Sequence, residues 1–180
     1  SGHPESGGLL NMLEEGRIGI LFVCTGNICR SPTAQGQFEM LVNERRMAHR
    51  FHVDSAGIED YHIGAAPDSR SIGAANNRGI AMAHLQARQL SRADYARFDF
   101  MLAMDSGHLR HLRRQMPAGL ANPPKLDLLL DYATGFEGQD LPDTYYGGPQ
   151  DFERVLDLVK AGCEGLIGHC IAADVRCVMR

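Results

Sequence analysis

The residues with most chemistry in this chain form one run: Cys24-Thr25-Gly26-Asn27-Ile28-Cys29-Arg30-Ser31-Pro32. A thiolate is the reactive form of cysteine, and helix N-termini and nearby cations favour it. Both adjoin Cys24 if a helix starts near Pro32. The backbone N–H groups of Thr25 through Arg30 can converge as a nest around an oxyanion, to which the following helix adds its positive end. The planar fork of Arg30 can grip two phosphate oxygens at once, where lysine would supply only a point charge. Gly26 removes a Cβ where the chain must turn sharply, and Asn27 suits a left-handed conformation. Ser31 has two compatible roles, capping the helix and donating a hydrogen bond to the sulfur. The chemistry this arrangement serves is displacement at phosphorus, with Cys24 as nucleophile.

The stretch from Val23 to Pro32 resembles the signature of the low-molecular-weight protein tyrosine phosphatases. The resemblance implies hydrolysis of phosphotyrosine and aryl phosphates through a phosphocysteine intermediate, without cofactor or metal. It also implies phosphotyrosine-containing proteins as partners. A leaving phenolate needs a proton from an acid within hydrogen-bond reach. Pro142-Asp143-Thr144-Tyr145-Tyr146 resembles the family's acid loop and makes Asp143 the acid, with Asp140 as the rival carboxylate. Thr144 stands where the family usually has proline, which leaves the loop with less built-in rigidity. Tyr145 and Tyr146 match one wall of a pocket for a flat ring and Tyr61 the other. Ser55 and Asp105 match residues that support the loop, though turn and cap chemistry accounts for them equally well. His84, counted from Gly79, falls on the family's supporting histidine. The resemblance further implies that Cys29 forms a disulfide with Cys24 under oxidation, shielding it from irreversible damage.

The elements that must position these residues are legible as alternating strands and helices. Ile18 to Val23 is an apolar run suited to a strand buried on both faces. Ser31 and Pro32 open a helix running to about Met47, with Ala34, Phe38, Leu41 and Val42 at helical spacing. Phe51 to Gly57 reads as a second strand, Pro67 to Gly79 as a helix, and Phe98 to Met104 as a third strand. Asp105 or Ser106 caps a helix to about Gln115. Lys125 to Leu130 reads as a fourth strand, residues 134–148 as a long functional loop, and Gln150 to Ile167 as the last helix. This alternation predicts an α/β fold with a parallel sheet, right-handed crossovers and helices on both faces. The loop after the first strand then falls at the carboxyl edge, where ligands bind in such sheets. The resemblance implies the same, a four-stranded, flavodoxin-like, doubly wound fold. Residues 1–16 read as a disordered or short helical extension, 17–170 as one domain and 171–180 as a tail.

Composition narrows the function classes. The 180 residues, 44% hydrophobic and 22% charged, are those of an ordinary globular chain. A net charge of −4 argues against sequence-independent nucleic-acid binding, which needs a concentrated basic face. No apolar run approaches the ~20 residues of a membrane span, and five cysteines, an odd number, do not form a disulfide framework. The expectation is a cytoplasmic protein, monomeric or weakly dimeric, with no membrane or nucleic-acid partner. Two other readings compete with phosphotyrosine hydrolysis. Thioredoxin-coupled arsenate reduction needs two relay cysteines able to reach Cys24, and only Cys163, Cys170 and Cys177 are available besides Cys29. A silent phosphate-binding module would lack one of Cys24, Arg30 and Asp143, and all three are present.

Overall fold

The computed structural model describes residues 16–179, with side chains as far as Ala173. The expected helical stretch at 9–15 lies outside the described residues. Strand β1 (Ile18–Cys24) is the centre of the molecule. It pairs in parallel with β2 (Phe51–Gly57) on one side and β3 (Phe100–Ala103) on the other, and β4 (Lys125–Leu128) completes a sheet of order β2-β1-β3-β4. Every residue of β1 is buried. That follows from its composition, since alternate side chains leave opposite faces of a strand and here both sets are apolar.

Ile18, Ile20 and Phe22 pack into a core with Phe38 and Leu41 of α1 (Arg30–Glu44) and with Val159, Cys163 and Leu166 of α5 (Pro149–Met179). Leu21 and Val23 point to the other face. There they meet Tyr95 of the short helix α3 (Asp94–Arg97), Phe98, and Leu109 and Leu112 of α4 (Ser106–Gln115). Helix α2 (Ser69–Asn76) joins α5 through a smaller cluster of Ala75, Ile80, Met82 and Leu156. The doubly wound α/β architecture is therefore the one expected.

The boundaries differ in informative places. Helix α1 begins at Arg30, and α2 begins at Ser69, where the Asp68 carboxylate accepts from the N–H groups of Arg70 and Ser71. Strand β3 is shorter at both ends than its apolar run. The chain leaves β4 at Leu128 into a 3₁₀ turn, Leu129–Tyr132, that tucks Leu129 and Leu130 into the core. Helix α5 runs on to Met179, through the segment expected as a tail. After Gly168 that segment holds neither glycine nor proline to stop it.

Phe38 is completely buried, its ring centroid 5.8 Å from Phe22 and 5.1 Å from Phe51. Phe38→Ala should cost roughly 3–5 kcal/mol. The check is the urea midpoint at unchanged m-value; a shift worth under ~1 kcal/mol would mean that the α1 face of the core collapses around the hole.

Candidate active site

The loop from Cys24 to Arg30 leaves β1 at the carboxyl edge of the sheet, and its carbonyl groups are tied outward. Thr25 O accepts from Glu59 N–H at 2.9 Å, Ile28 O from Asp68 N–H at 2.8 Å, and Cys29 O from Thr33 N–H and Oγ1. In a trans peptide the N–H points opposite to the C=O. The N–H groups of Gly26, Cys29 and Arg30 therefore face away from these partners, toward the open side of the loop.

No side chain caps α1, whose N-cap is Cys29. The expected cap by Ser31 is thus not made, because Ser31 lies inside the first turn with its hydroxyl turned to the loop. Ser31 Oγ is 2.9 Å from Cys24 Sγ and accepts from Asn27 Nδ2 at 2.8 Å. With Asn27 as its donor, the serine proton is free to go to the sulfur. The first N–H groups of α1 stay available to an anion. Pro32, the third residue, sits where its missing N–H removes no intrahelical bond.

Asn27 is left-handed as expected, with φ 59°, and is buried. Its Nδ2 donates to Ser31 and to Ser55 Oγ at 2.9 Å, while Oδ1 accepts the Arg88 N–H at 3.0 Å. Ser55 Oγ donates in turn to Gln35 Oε1 at 2.6 Å. Arg88 is held by Asp54 and by the buried Asp94, each at 2.9 Å. His84 does not join this network, contrary to expectation. It is exposed and faces Glu39 instead.

Arg30 is buried under the loop. Its Nη1 donates to Asp105 Oδ2 and to Leu141 O, both at 3.0 Å, while Nη2 lies 3.9 Å from Asp143 Oδ2. Burial disfavours the ionised Asp105, but the hydrogen bond from the His108 N–H and the charge of Arg30 outweigh it and hold the carboxyl below the usual range. Asp105 also caps α4, accepting the His108 N–H.

The acid loop closes the opposite side. Asp143 is open to solvent, 62% exposed, and lines a cleft of about 440 Å³ together with Cys24, Arg30, Tyr61, Tyr145 and Tyr146. Asp140 is engaged elsewhere, accepting the N–H and hydroxyl of Ser106 at the start of α4. The loop is not slack for want of proline. Asp143 Oδ1 accepts the Tyr145 N–H, Thr144 is buried and its carbonyl accepts the Gly147 N–H, and Arg70 Nη2 donates to Tyr145 O.

The comparisons with known proteins agree with this geometry. The family model described as "Low molecular weight phosphotyrosine protein phosphatase" matches residues 19–176. The chain belongs to the low molecular weight protein tyrosine phosphatases. It is 40% identical to the low molecular weight protein-tyrosine-phosphatase YfkJ of Bacillus subtilis over 150 residues, 83% of this chain and 94% of that one. The low molecular weight phosphotyrosine protein phosphatase of Homo sapiens is 37% identical over 156 residues, 87% of this chain and 98% of the relative. Among solved structures, the protein tyrosine phosphatase of Entamoeba histolytica with Hepes in its active site superposes with a TM-score of 0.81 at 32% identity, covering 87% and 99% of the two chains.

As a low molecular weight protein tyrosine phosphatase, the chain acts on phosphoproteins through a phosphocysteine intermediate, and arsenate reduction is not favoured. Among the described residues, the remaining thiols fit this. Cys163 and Cys170 are buried in the α1–α5 core, and burial pushes both thiols up, Cys170 to about 12. Burial, with Asp68 beside it, pushes the Cys29 thiol up to about 11.

Three residues of the phosphatase site escape sequence patterns. His62 packs on Gly26, where a Cβ would come within 2.9 Å of its Cδ2. The φ of Gly26 is not positive, and the Cβ that it lacks would crowd the His62 ring. His108 is buried with Nε2 2.8 Å from Thr25 Oγ1. Gly57, the last residue of β2, lies flush against the loop, so that a Cβ would meet Gly26 C and Thr25 O at 2.9 Å and Asn27 N at 3.0 Å. These are backbone atoms that cannot swing aside. Gly57→Ala should displace the loop and lower kcat/KM on para-nitrophenyl phosphate by about 10²-fold, the scale set by an ångström of misplacement, while weakening inhibition by inorganic phosphate. Unchanged kinetics would show that the loop tolerates the shift.

Proposed function

We propose that this phosphatase hydrolyses phosphotyrosine in proteins with Cys24 as nucleophile, Asp143 as proton donor and Arg30 as the clamp on the phosphoryl group. The observation that carries the reading is Cys24 Sγ, almost fully buried at the base of the N–H-lined loop, with Asp143 on the wall of the same cleft. The sulfur attacks phosphorus, the P–O bond to the phenol breaks, and Asp143 gives its proton to the departing oxygen. Water then attacks the phosphocysteine, losing a proton to the Asp143 carboxylate, and the thiolate and inorganic phosphate are regained. Ser31 stabilises the sulfur through its O–H. Loop N–H groups from Thr25 through Arg30 and the Arg30 guanidinium take the charge on the equatorial oxygens. Asn27, Ser55 and Asp105 hold these groups in place.

Tyr61, Tyr145 and Tyr146 are exposed, and Tyr145 and Tyr146 meet edge to face at 4.8 Å. On either side of the cleft mouth they offer a flat ring apolar walls, which favours an aryl phosphate over an alkyl one. A reducing, cytoplasmic setting suits this chemistry, since Cys24 has to remain a free thiol. The monomer, or a weak dimer, is sufficient for it, because every proposed residue comes from one chain.

Cys24→Ser should abolish turnover while leaving phosphate binding in place. Asp143→Asn should slow single-turnover phosphorylation of the enzyme by roughly 10²–10⁴-fold with phosphotyrosine. The loss should be much smaller with para-nitrophenyl phosphate, whose phenolate departs unaided. Equal losses on the two substrates would remove Asp143 from the acid role.

Cys29 is the proposed redox partner. Peroxide oxidises Cys24 to the sulfenic acid, and attack by the Cys29 sulfur expels water and closes a disulfide that a dithiol reopens. Peptide mass spectrometry after peroxide should find Cys24 joined to Cys29. A bond from Cys24 to Cys163 or Cys170 would overturn this pairing.

A further inference from the structure

His108 is the third residue of α4, yet its ring touches both halves of the phosphate site. Nε2 is 2.8 Å from the hydroxyl of Thr25, the residue after the nucleophile. Nδ1 lies 3.2 Å from Asp105 Oδ1, while the other oxygen of that carboxylate receives Arg30 Nη1. The ring is 5% exposed, and Nδ1 is buried with no hydrogen bond of good geometry.

We propose that His108 is a positioning residue for this reaction, present as the Nδ1–H tautomer, that ties the start of the phosphate loop to the Asp105–Arg30 pair. A neutral imidazole has one N–H, on either nitrogen. With the proton on Nε2, the buried Nδ1 lone pair would face a carboxylate oxygen 3.2 Å away, and that repulsion is large at low dielectric. With the proton on Nδ1, the ring turns its positive N–H edge toward Asp105 in a close electrostatic contact, and Nε2 accepts the hydroxyl of Thr25, which rotates to suit. The contacts then link Thr25 O–H to His108 by a hydrogen bond and His108 to the Asp105 carboxylate by charge, and the other oxygen of that carboxylate aligns the guanidinium.

The charged groups facing the ring are Asp105 beside it on α4, Arg30 from α1, and Asp143 and Asp140 from the acid loop. Burial and Arg30 push the imidazolium down to about 4 against the pull of these carboxylates. The ring is therefore neutral near neutral pH. A cation here would compete with Arg30 for Asp105.

The inference rests on Arg30 as the phosphate ligand, and the experiment separates the two. Long-range ¹H–¹⁵N spectra of the full chain should show His108 as the Nδ1–H form, unprotonated down to pH 5; an Nε2–H ring or a midpoint near 6.5 overturns the proposal even if every variant fails to fold. Inhibition by inorganic phosphate and kcat/KM are then read for three variants. His108→Phe keeps the ring volume without its nitrogens and should lose roughly 10- to 100-fold in both, by loosening Arg30. His108→Asn returns an N–H near the Nδ1 position and should recover most of the phosphate affinity, whereas His108→Gln, reaching toward Thr25, should not. In an Asp105→Asn background the loss from His108→Phe should shrink to about twofold or less, as expected of residues acting in one network. Additive losses, or a His108→Phe variant with wild-type phosphate affinity, overturn the inference. Should Arg30→Lys also keep wild-type phosphate affinity, it is the site assignment itself that fails.

Discussion

N–H groups that are to hold an oxyanion cannot also be hydrogen-bonded inside the protein, and this constraint shapes the region between Cys24 and Ser31. A loop with its donors left free cannot be stabilised in the way helices and strands are. Here the carbonyls do the anchoring, through Glu59, Asp68 and Thr33, and a single buried carboxamide ties the middle. Asn27 suits both tasks. It accepts the left-handed backbone, and its amide and oxygen reach Ser31, Ser55 and Arg88 on three different segments. The Arg88 N–H is fixed in turn because its side chain is locked between Asp54 and the buried Asp94.

Arg30 follows a similar logic in charge. A buried guanidinium is costly unless its donors are met, and both partners on Nη1, Asp105 and the Leu141 carbonyl, are themselves held. Asp105 caps α4, and the Leu141 N–H is bonded to Met104 O at the end of β3. The acid loop is thus attached to the sheet and to Arg30 at the same point, two residues before Asp143. Loop and nucleophile keep a common frame although more than a hundred residues separate them in sequence.

The carboxyl edge of the sheet supplies that frame. Cys24 pairs with Gly57 in register, so the end of β2 abuts the phosphate loop and only a glycine fits. The Thr144 backbone lacks the stiffness of proline, but burial of its side chain and the Asp143–Tyr145 turn supply local order by other means. Such a loop is held by tertiary contacts and not by its own dihedrals.

Much of this protein was legible in the chain before folding. The doubly apolar β1, the alternation of strands and helices and the spacing of Cys24, Arg30 and Ser31 are local patterns, each read within a dozen residues, and they were enough for the architecture and the nucleophilic loop. Asp143 and the tyrosines were legible only through the resemblance, since a Pro-Asp-Thr turn has no chemistry of its own. What depended on contacts between distant segments was not readable. Which of Asp140 and Asp143 is left facing the cleft depends on which carboxylate Ser106 captures, and it captures Asp140. Ser31 looked like a cap, because a serine before a proline has that propensity, but Asn27 and Cys24 competed for its hydroxyl. His84 was placed by counting through a loop whose path no pattern determines, and it emerged on the surface. Gly57 and His108 had no signal in one dimension: a glycine after a strand reads as a turn, and a histidine in the first turn of a helix as solvated. Only the packing of β2 and α4 against the loop gave them work, because close approach and burial are properties of neighbours that the sequence does not list.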